Sequence, residues 1–139
     1  MAPDILARIA KLEKVLKKLE RLRQRNISEQ EFLKNDDLQD IVERNLEVAV
    51  EALIDIANHI VGKKRYRKPE NAADTFQILT EEGILEKDFS HKLQGWVGLR
   101  NVIVHIYAEI NLSLLYKALM NEQDDLRKAA KILCGEVEK

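Results

Sequence analysis

Apolar residues recur along most of the chain at spacings of three and four, which place side chains on one face of an α-helix. Near the N-terminus this stripe comprises Ile5, Ile9, Leu12, Leu16 and Leu19. Leu6, Val15 and Leu22 widen the stripe, which favours packing into a bundle over a narrow two-stranded seam. Pro3 suits the first turn, so we predict a first helix from there.

Ser28 and Glu31 have the spacing of a capping box and predict the start of a second helix. Its apolar stripe comprises Phe32, Leu38, Val42, Leu46, Ala49, Leu53, Ile56 and Ile60. Asn35-Asp36-Asp37 can kink or interrupt this helix, and Gly62 is its predicted end.

A third helix is predicted from Asn71 to Glu82, with Gly83 in the left-handed position that ends it. A fourth is predicted from about His91 to about Ile110, with Asp88 or Ser90 as its cap. Each segment carries apolar residues at helical spacing, so both helices are expected to pack into the bundle.

Asn111 or Ser113 can open a last helix, which carries leucines and alanines as far as Leu133. No stretch alternates apolar and polar residues as a strand would. The pattern therefore predicts an all-α antiparallel bundle of about five helices. A chain of 139 residues is expected to form one domain over residues 1–139.

Composition changes this picture in two ways. The formal net charge of −1 excludes a globally basic nucleic-acid binder, so any RNA contact must come from a local patch. The single cysteine, Cys134, fits a reducing compartment, and no apolar run is long enough to span a membrane. We therefore expect a cytoplasmic protein.

A basic segment follows the second predicted helix and ends before Pro69. It comprises Lys63, Lys64, Arg65, Tyr66, Arg67 and Lys68. One interpretation is an RNA-backbone contact, with Tyr66 stacking on a base. The alternative is a solvated connector, whose cations lie near a helix C-terminus where positive charge is favoured.

The segment from Leu99 to Tyr107 carries the candidate chemistry. At about 100° per residue, a helix would place four polar side chains on one side: Arg100, Asn101, His105 and Tyr107. The opposite arc would carry Trp96, Leu99, Val102, Ile103, Ile106 and Ile110 and dock into the bundle.

Leu93, Val97 and Val104 fall among the polar residues on the same projection. Apolar side chains on an outward face need a second partner, so the mixed face predicts a symmetric homodimer. Two copies of the polar quartet would then line a shared cleft.

These residue types suit RNA cleavage by attack of the ribose 2′-hydroxyl on the adjacent phosphate, which requires no metal or cofactor. Histidine exchanges protons near neutral pH, so His105 can serve as general base or acid. Arg100 can stabilise phosphoryl charge, Asn101 can orient the imidazole, and Tyr107 can bind substrate or be modified. From spacing alone, such side chains on a helix are more often structural residues with satisfied hydrogen bonds than catalysts.

The run from Arg100 to Tyr107 resembles the R-N-x-x-x-H-x-Y signature of HEPN proteins, in the form seen in HepT-like toxins. The resemblance covers roughly Ile41 to Leu119, including the approach to the motif from Leu93 to Leu99. It implies a HEPN-type helical homodimer with a composite cleft and metal-independent endoribonuclease activity centred on Arg100 and His105.

The resemblance also implies a partner. HepT-like toxins pair with an MntA-like nucleotidyltransferase antitoxin, which transfers AMP to the motif tyrosine, here Tyr107. The alternative is a non-catalytic subunit that binds a nucleotide or the nucleotidyltransferase, and a third possibility is a purely structural helical adaptor.

Overall fold

A computed structural model of the chain describes residues 2–105 and 110–139, with side chains from residue 4 onward. All regular structure in these ranges is helical, which confirms the all-α prediction. The described residues form seven α-helices instead of about five: α1 (Ala2–Gln24), α2 (Glu29–Leu33), α3 (Asp36–Lys63), α4 (Ala72–Glu81), α5 (Lys87–Val104), α6 (Leu112–Lys117) and α7 (Asp124–Val137). None of the described helices is both long and apolar enough to cross a membrane.

The segment predicted as one second helix is two helices, because two successive caps divide it. The Ser28 side chain accepts a hydrogen bond from the Glu31 backbone N–H at 3.2 Å and begins α2. Asn35 accepts from the Leu38 N–H at 3.0 Å and begins α3. The predicted interruption at Asn35-Asp36-Asp37 is therefore confirmed.

Helices α3 and α4 are each followed by a residue with a left-handed backbone conformation. The sequence predicted the end of α4 correctly but not the end of α3. Gly83 has φ +78° and ends α4 as predicted. Gly62 does not end α3, because the left-handed residue is Arg65, with φ +56°. The Tyr66 N–H then bonds the Val61 carbonyl at 3.0 Å, which satisfies a carbonyl of the last turn.

Helix α3 is the centre of the bundle and packs against each of the other six α-helices. α1 and α7 cover one side of it and run antiparallel to each other. Arg127 of α7 donates to the Leu16 carbonyl of α1 at 2.7 Å, and Gln123, just before α7, donates to the Leu19 carbonyl at 3.1 Å. These bonds fix the register of the two helices.

The other side of α3 is covered by α4 and α5. Thr75 of α4 donates to the Asn58 side chain of α3 at 2.8 Å. The cap of α5 is Glu86, so the prediction of Asp88 or Ser90 is wrong. Ser90 is buried and donates to the Phe76 carbonyl at 3.2 Å, which ties the start of α5 to α4.

The predicted last helix is confirmed at its start and divided further along. Asn111 caps α6 by accepting from the Leu114 N–H at 3.1 Å. A π-helical turn, Ala118–Glu122, then separates α6 from α7. The buried Gln123 side chain donates to the Leu119 carbonyl of that turn at 2.6 Å, in addition to its bond to α1.

Candidate active site

Helix α5 ends at Val104, so the prediction that it reaches about Ile110 is wrong. His105 is the C-cap residue, with an extended backbone (φ −87°, ψ 107°) and an N–H that bonds the Val102 carbonyl at 3.3 Å. Val102, Ile103 and Val104 form a β-branched run, which lowers helix propensity at this end.

The early end of α5 changes the geometry inferred for the polar quartet. Arg100 and Asn101 lie in the last turn of the helix, while His105 lies just beyond it and leaves the helical projection. Tyr107 lies outside the described residues, as does Ile106. The structure therefore brings three of the four predicted residues to the C-terminal end of α5, but not on one continuous helical face.

Arg100 lies against the middle of α3, and its side chain is 22% exposed. Its Nη1 atom is 3.9 Å from Oε1 of Glu51, whose side chain is 43% exposed. The Nε atom is buried and has no hydrogen-bond partner among the described residues. The guanidinium is thus only loosely held and keeps donors that could bind an oxyanion.

Asn101 and His105 are both exposed. An exposed imidazole beyond a helix end is reachable by a substrate, and it stands five residues from the guanidinium of Arg100. Neither Arg100 nor His105 is sealed within the bundle. This arrangement can place a cationic fork and a proton carrier beside one phosphodiester.

The apolar residues of α5 are buried and exposed in a different pattern from the predicted one. Leu93 and Val97 are buried in the chain's own core, so the expectation that they need a second partner is wrong. Val102, expected in the docking arc, is instead exposed, and so is Val104. The outward apolar surface therefore lies at the C-terminal end of α5, next to the polar residues.

The basic segment 63–68 is mostly engaged in the fold. Arg67 donates four hydrogen bonds, two to Asp74 and two to Glu81, at 2.8–3.0 Å. Lys64 forms an ion pair with Glu136 at 3.6 Å. Tyr66 is half-buried against the core. Lys63, Arg65 and Lys68 are exposed and form no side-chain hydrogen bond or ion pair with another described residue.

This segment is also distant from the end of α5. Glu51 faces Arg100, whereas Lys63 stands about 18 Å further along the α3 axis, at 1.5 Å per residue. The structure thus does not bring the basic segment together with the residues of the motif.

Glu51 is the residue of this site that the sequence did not reveal. It is one of several acidic residues on α3, and nothing in its local pattern distinguishes it. Its pairing with Arg100 joins residues 49 positions apart. Only the packing of α5 against α3 creates that contact.

Comparison with known proteins identifies the family to which this fold belongs. The family model described as "Ribonuclease HepT-like" matches residues 6–133. The chain belongs to the HepT-like ribonuclease family. The expectation of a HEPN-type ribonuclease drawn from the R-N-x-x-x-H-x-Y resemblance is therefore confirmed.

Two curated HepT relatives are similar over much of the chain. The "mRNA nuclease HepT" of Shewanella oneidensis is 31% identical over 132 residues, which are 95% of this chain and 97% of that protein. The "tRNA nuclease HepT" of Aphanizomenon flos-aquae is 32% identical over 94 residues, which are 68% of this chain and 64% of that protein.

A solved structure of a HepT-type protein has the same fold. It is the tri-AMPylated Shewanella oneidensis HEPN toxin in complex with the MNT antitoxin. The two chains are 29% identical, and the superposition has a TM-score of 0.84, covering 94% of this chain and 96% of that one. The similarity therefore extends over nearly the whole bundle.

Proposed function

We propose that this chain is the toxin of a toxin–antitoxin pair and cuts RNA by attack of a ribose 2′-hydroxyl, with Arg100 and His105 as its catalytic residues. The observation that carries the proposal is the placement of both side chains at the C-terminal end of α5, open to substrate. The match of the family model over residues 6–133 supports a single HEPN-type domain.

The proposed step needs a base, an acid and a group that stabilises charge. His105 takes the proton of the 2′-hydroxyl as the 2′-oxygen forms a bond to phosphorus. The bond from phosphorus to the 5′-oxygen breaks, leaving a 2′,3′-cyclic phosphate, and the 5′-oxygen takes a proton from a second imidazole or water. Arg100 binds the phosphoryl oxygens as their charge grows, and Asn101 supports them.

A homodimer would supply the second imidazole. Val102 and Val104 are exposed apolar residues at the C-terminal end of α5, close to Arg100 and His105 in the chain. Apolar side chains that surround a polar site are typical of an interface that closes around it. A two-fold contact there would bring two copies of Arg100 and His105 to one cleft.

The partner follows from the relatives. The Shewanella oneidensis toxin carries AMP groups and is bound to an MNT antitoxin. By this similarity, an MntA-like nucleotidyltransferase is the proposed antitoxin of this chain, and Tyr107 is the proposed acceptor of AMP. An added AMP would block the cleft with bulk and negative charge, which repels RNA phosphates.

The test is RNA cleavage by the purified protein in excess EDTA. We expect cleavage to persist and to fall by about 100-fold or more in His105→Ala, because general acid–base catalysis contributes that much. His91→Ala is the matched control, since His91 is also exposed and lies at the other end of α5. Absence of cleavage under all conditions would favour the non-catalytic binding subunit.

A further inference from the structure

A cavity of about 460 Å³ lies between α5 and the chain segment from α6 to the start of α7. Its apolar wall includes Trp96, Leu99 and Leu114. We call it the Trp96 cavity. Trp96 is buried, and its Nε1 donates to Asp125 at 3.4 Å, which fixes the indole as a rigid wall. Leu114 is 56% exposed, so an apolar surface remains open to an occupant.

Besides Asp125, four polar side chains line the cavity: Lys92, Lys117, Asn121 and Glu122. All four are exposed, and none forms a hydrogen bond or ion pair with another described residue. Elsewhere the described surface pairs many of its charges, as Arg67 does with Asp74. An open apolar wall edged by unpaired donors and acceptors is typical of a small-molecule or base-binding site.

The cavity lies near Arg100 on α5, because Trp96 of its wall is one helical turn before Arg100. Leu99 lines it and directly precedes Arg100. Lys92 lies about 12 Å before Arg100 along the α5 axis, at 1.5 Å per residue. An RNA strand bound at Arg100 could therefore reach the cavity with a nucleotide close to the scissile phosphate.

The far side of the cavity is built by the π-helical turn, which contributes Ala118, Asn121 and Glu122. Such turns are rare and frequently occur at functional sites. In this one the Gln123 side chain donates a hydrogen bond to the Leu119 carbonyl at 2.6 Å. The wide turn thus presents an amide and a carboxylate side by side at the cavity.

We propose that the Trp96 cavity is a nucleobase subsite, which takes one unpaired base of the RNA strand next to the phosphate held by Arg100. This inference rests on the proposed function and extends it to substrate selection. The base would lie against Leu99 and Leu114, and Asn121 and Glu122 would hydrogen-bond its polar edge. Lys92 and Lys117 would neutralise the strand's phosphates.

A protein side chain could fill the same space, but the unpaired Lys92 and Lys117 that line the cavity favour a polyanion. The carboxylates of Glu122 and Asp125 do not oppose this, because Asp125 holds the indole and carboxylates accept hydrogen bonds from base amino groups. The subsite would therefore select for base identity and not only for charge.

The only tryptophan of the chain, Trp96, allows the subsite to be tested without cleavage. The fluorescence of His105→Ala protein would be titrated with a short single-stranded RNA oligonucleotide, and with versions that lack one base at each position in turn. We expect a saturable change in fluorescence and a Kd that rises about five-fold or more when one particular base is removed.

Leu114→Glu, added to His105→Ala, places a carboxylate on the cavity wall at a position exposed enough to tolerate it. We expect it to raise the Kd for the complete RNA about ten-fold. Leu6→Glu is the matched control, because Leu6 is 69% exposed on α1 and does not line the cavity. It should leave the Kd unchanged, and circular dichroism would check that both variants fold.

The outcomes separate the subsite from the nuclease. An unchanged Trp96 fluorescence, or a Leu114→Glu variant that binds RNA like its parent, would overturn the subsite even if the protein cleaves RNA. Loss of nucleotidyltransferase binding in Leu114→Glu with unchanged RNA affinity would also overturn it, in favour of protein docking. Base-dependent binding at Trp96 in the His105→Ala protein, together with no cleavage by the protein that keeps His105, would support the subsite and contradict the nuclease.

Discussion

The guanidinium of Arg100 and the carboxylate of Glu51 face each other across the contact between α5 and α3, with Nη1 and Oε1 3.9 Å apart. The distance is at the limit for an ion pair, and Glu51 is close to half exposed. A pair of this kind contributes about 1 kcal/mol at most. A phosphate can therefore displace Glu51 from Arg100 at low cost.

Replacing Glu51 should strengthen substrate binding. In Glu51→Gln the anion that competes with phosphate is removed while the side chain keeps its size. We expect the KM for RNA to fall about two- to five-fold, with little change in kcat, because about 1 kcal/mol corresponds to a factor of about five. Steady-state cleavage of a short RNA would measure both constants.

Asp55→Asn is the matched control for Glu51→Gln. Asp55 lies one turn further along α3 and pairs with Arg8 of α1 at 3.2 Å, away from the motif. Its replacement should leave the KM unchanged. A KM that rises in Glu51→Gln would contradict this account and show that the carboxylate aligns the arginine.

Arg67 should matter for folding more than for RNA. Its guanidinium is bonded to Asp74 and Glu81 and joins the loop before α4 to that helix. Arg67→Ala should lower the Tm. RNA affinity should change by less than about two-fold, because a cation already paired with carboxylates displaces few counterions from RNA when the two bind. Thermal unfolding and RNA titration on the same samples would measure both effects.

Lys68→Ala serves as the comparison for Arg67→Ala. Lys68 is an exposed cation of the same loop and forms no ion pair within the described chain. Lys68→Ala should leave the Tm unchanged. Arg67→Ala protein that keeps the parental Tm but loses RNA binding would refute the structural role of this arginine.

Acid should remove part of the stability that Asp74 provides. The hydrogen bonds from Arg67, with one from the Glu70 backbone, lower the pKa of the Asp74 carboxyl to about 2. The folded pKa lies below the unfolded value of about 3.9. The stabilisation is thus fully present above about pH 4 and is lost as the pH falls towards 2.

The free energy of unfolding, measured by denaturant titration between about pH 6 and pH 2, checks this prediction. The difference between the parent and Asp74→Asn should shrink as the pH falls below about 4, because only the parent has a carboxylate at position 74 to protonate. A difference that stays constant over this range would exclude the ion pair as the cause. Arg67 pairs with Glu81 as well and lowers the pKa of that carboxyl in the same direction.

Tyr107 should carry the AMP groups after co-expression with an MntA-like nucleotidyltransferase. Intact mass would then increase in steps of one AMP group, and Tyr107→Phe should remove every step, because the phenolic oxygen is the acceptor. Tyr116→Phe is the control, since the Tyr116 hydroxyl is engaged with the Ile27 carbonyl at 2.6 Å. Adducts that persist in Tyr107→Phe would place the modification elsewhere.

Much of the fold was predictable because its signals are local. Asn35 and Asn111 cap helices through bonds to N–H groups three residues away, and Gly83 takes the left-handed turn that ends α4. Such features depend on a few neighbouring residues. The end of α3 was predicted wrongly because the prediction relied on the same local rule. That rule expects glycine in the left-handed position, whereas Arg65 occupies it.

The sequence predicted which residues form the candidate site but not how they are arranged. The motif itself named Arg100 and His105, but a continuous helical projection could not show that α5 stops at Val104. The same projection treated Leu93 and Val97 as outward residues, whereas the packing of α5 against α3, α4 and α7 buries them.

The sequence by itself thus determined the helical class, most helix starts and the residues able to do the chemistry. The tertiary structure alone decided that Glu51 meets Arg100, that Arg67 is held by Asp74 and Glu81, and that a cavity opens beside Trp96. The physical reason is distance along the chain. Helix caps and turns form between near neighbours, whereas these contacts require helices remote in sequence to pack at one angle and register.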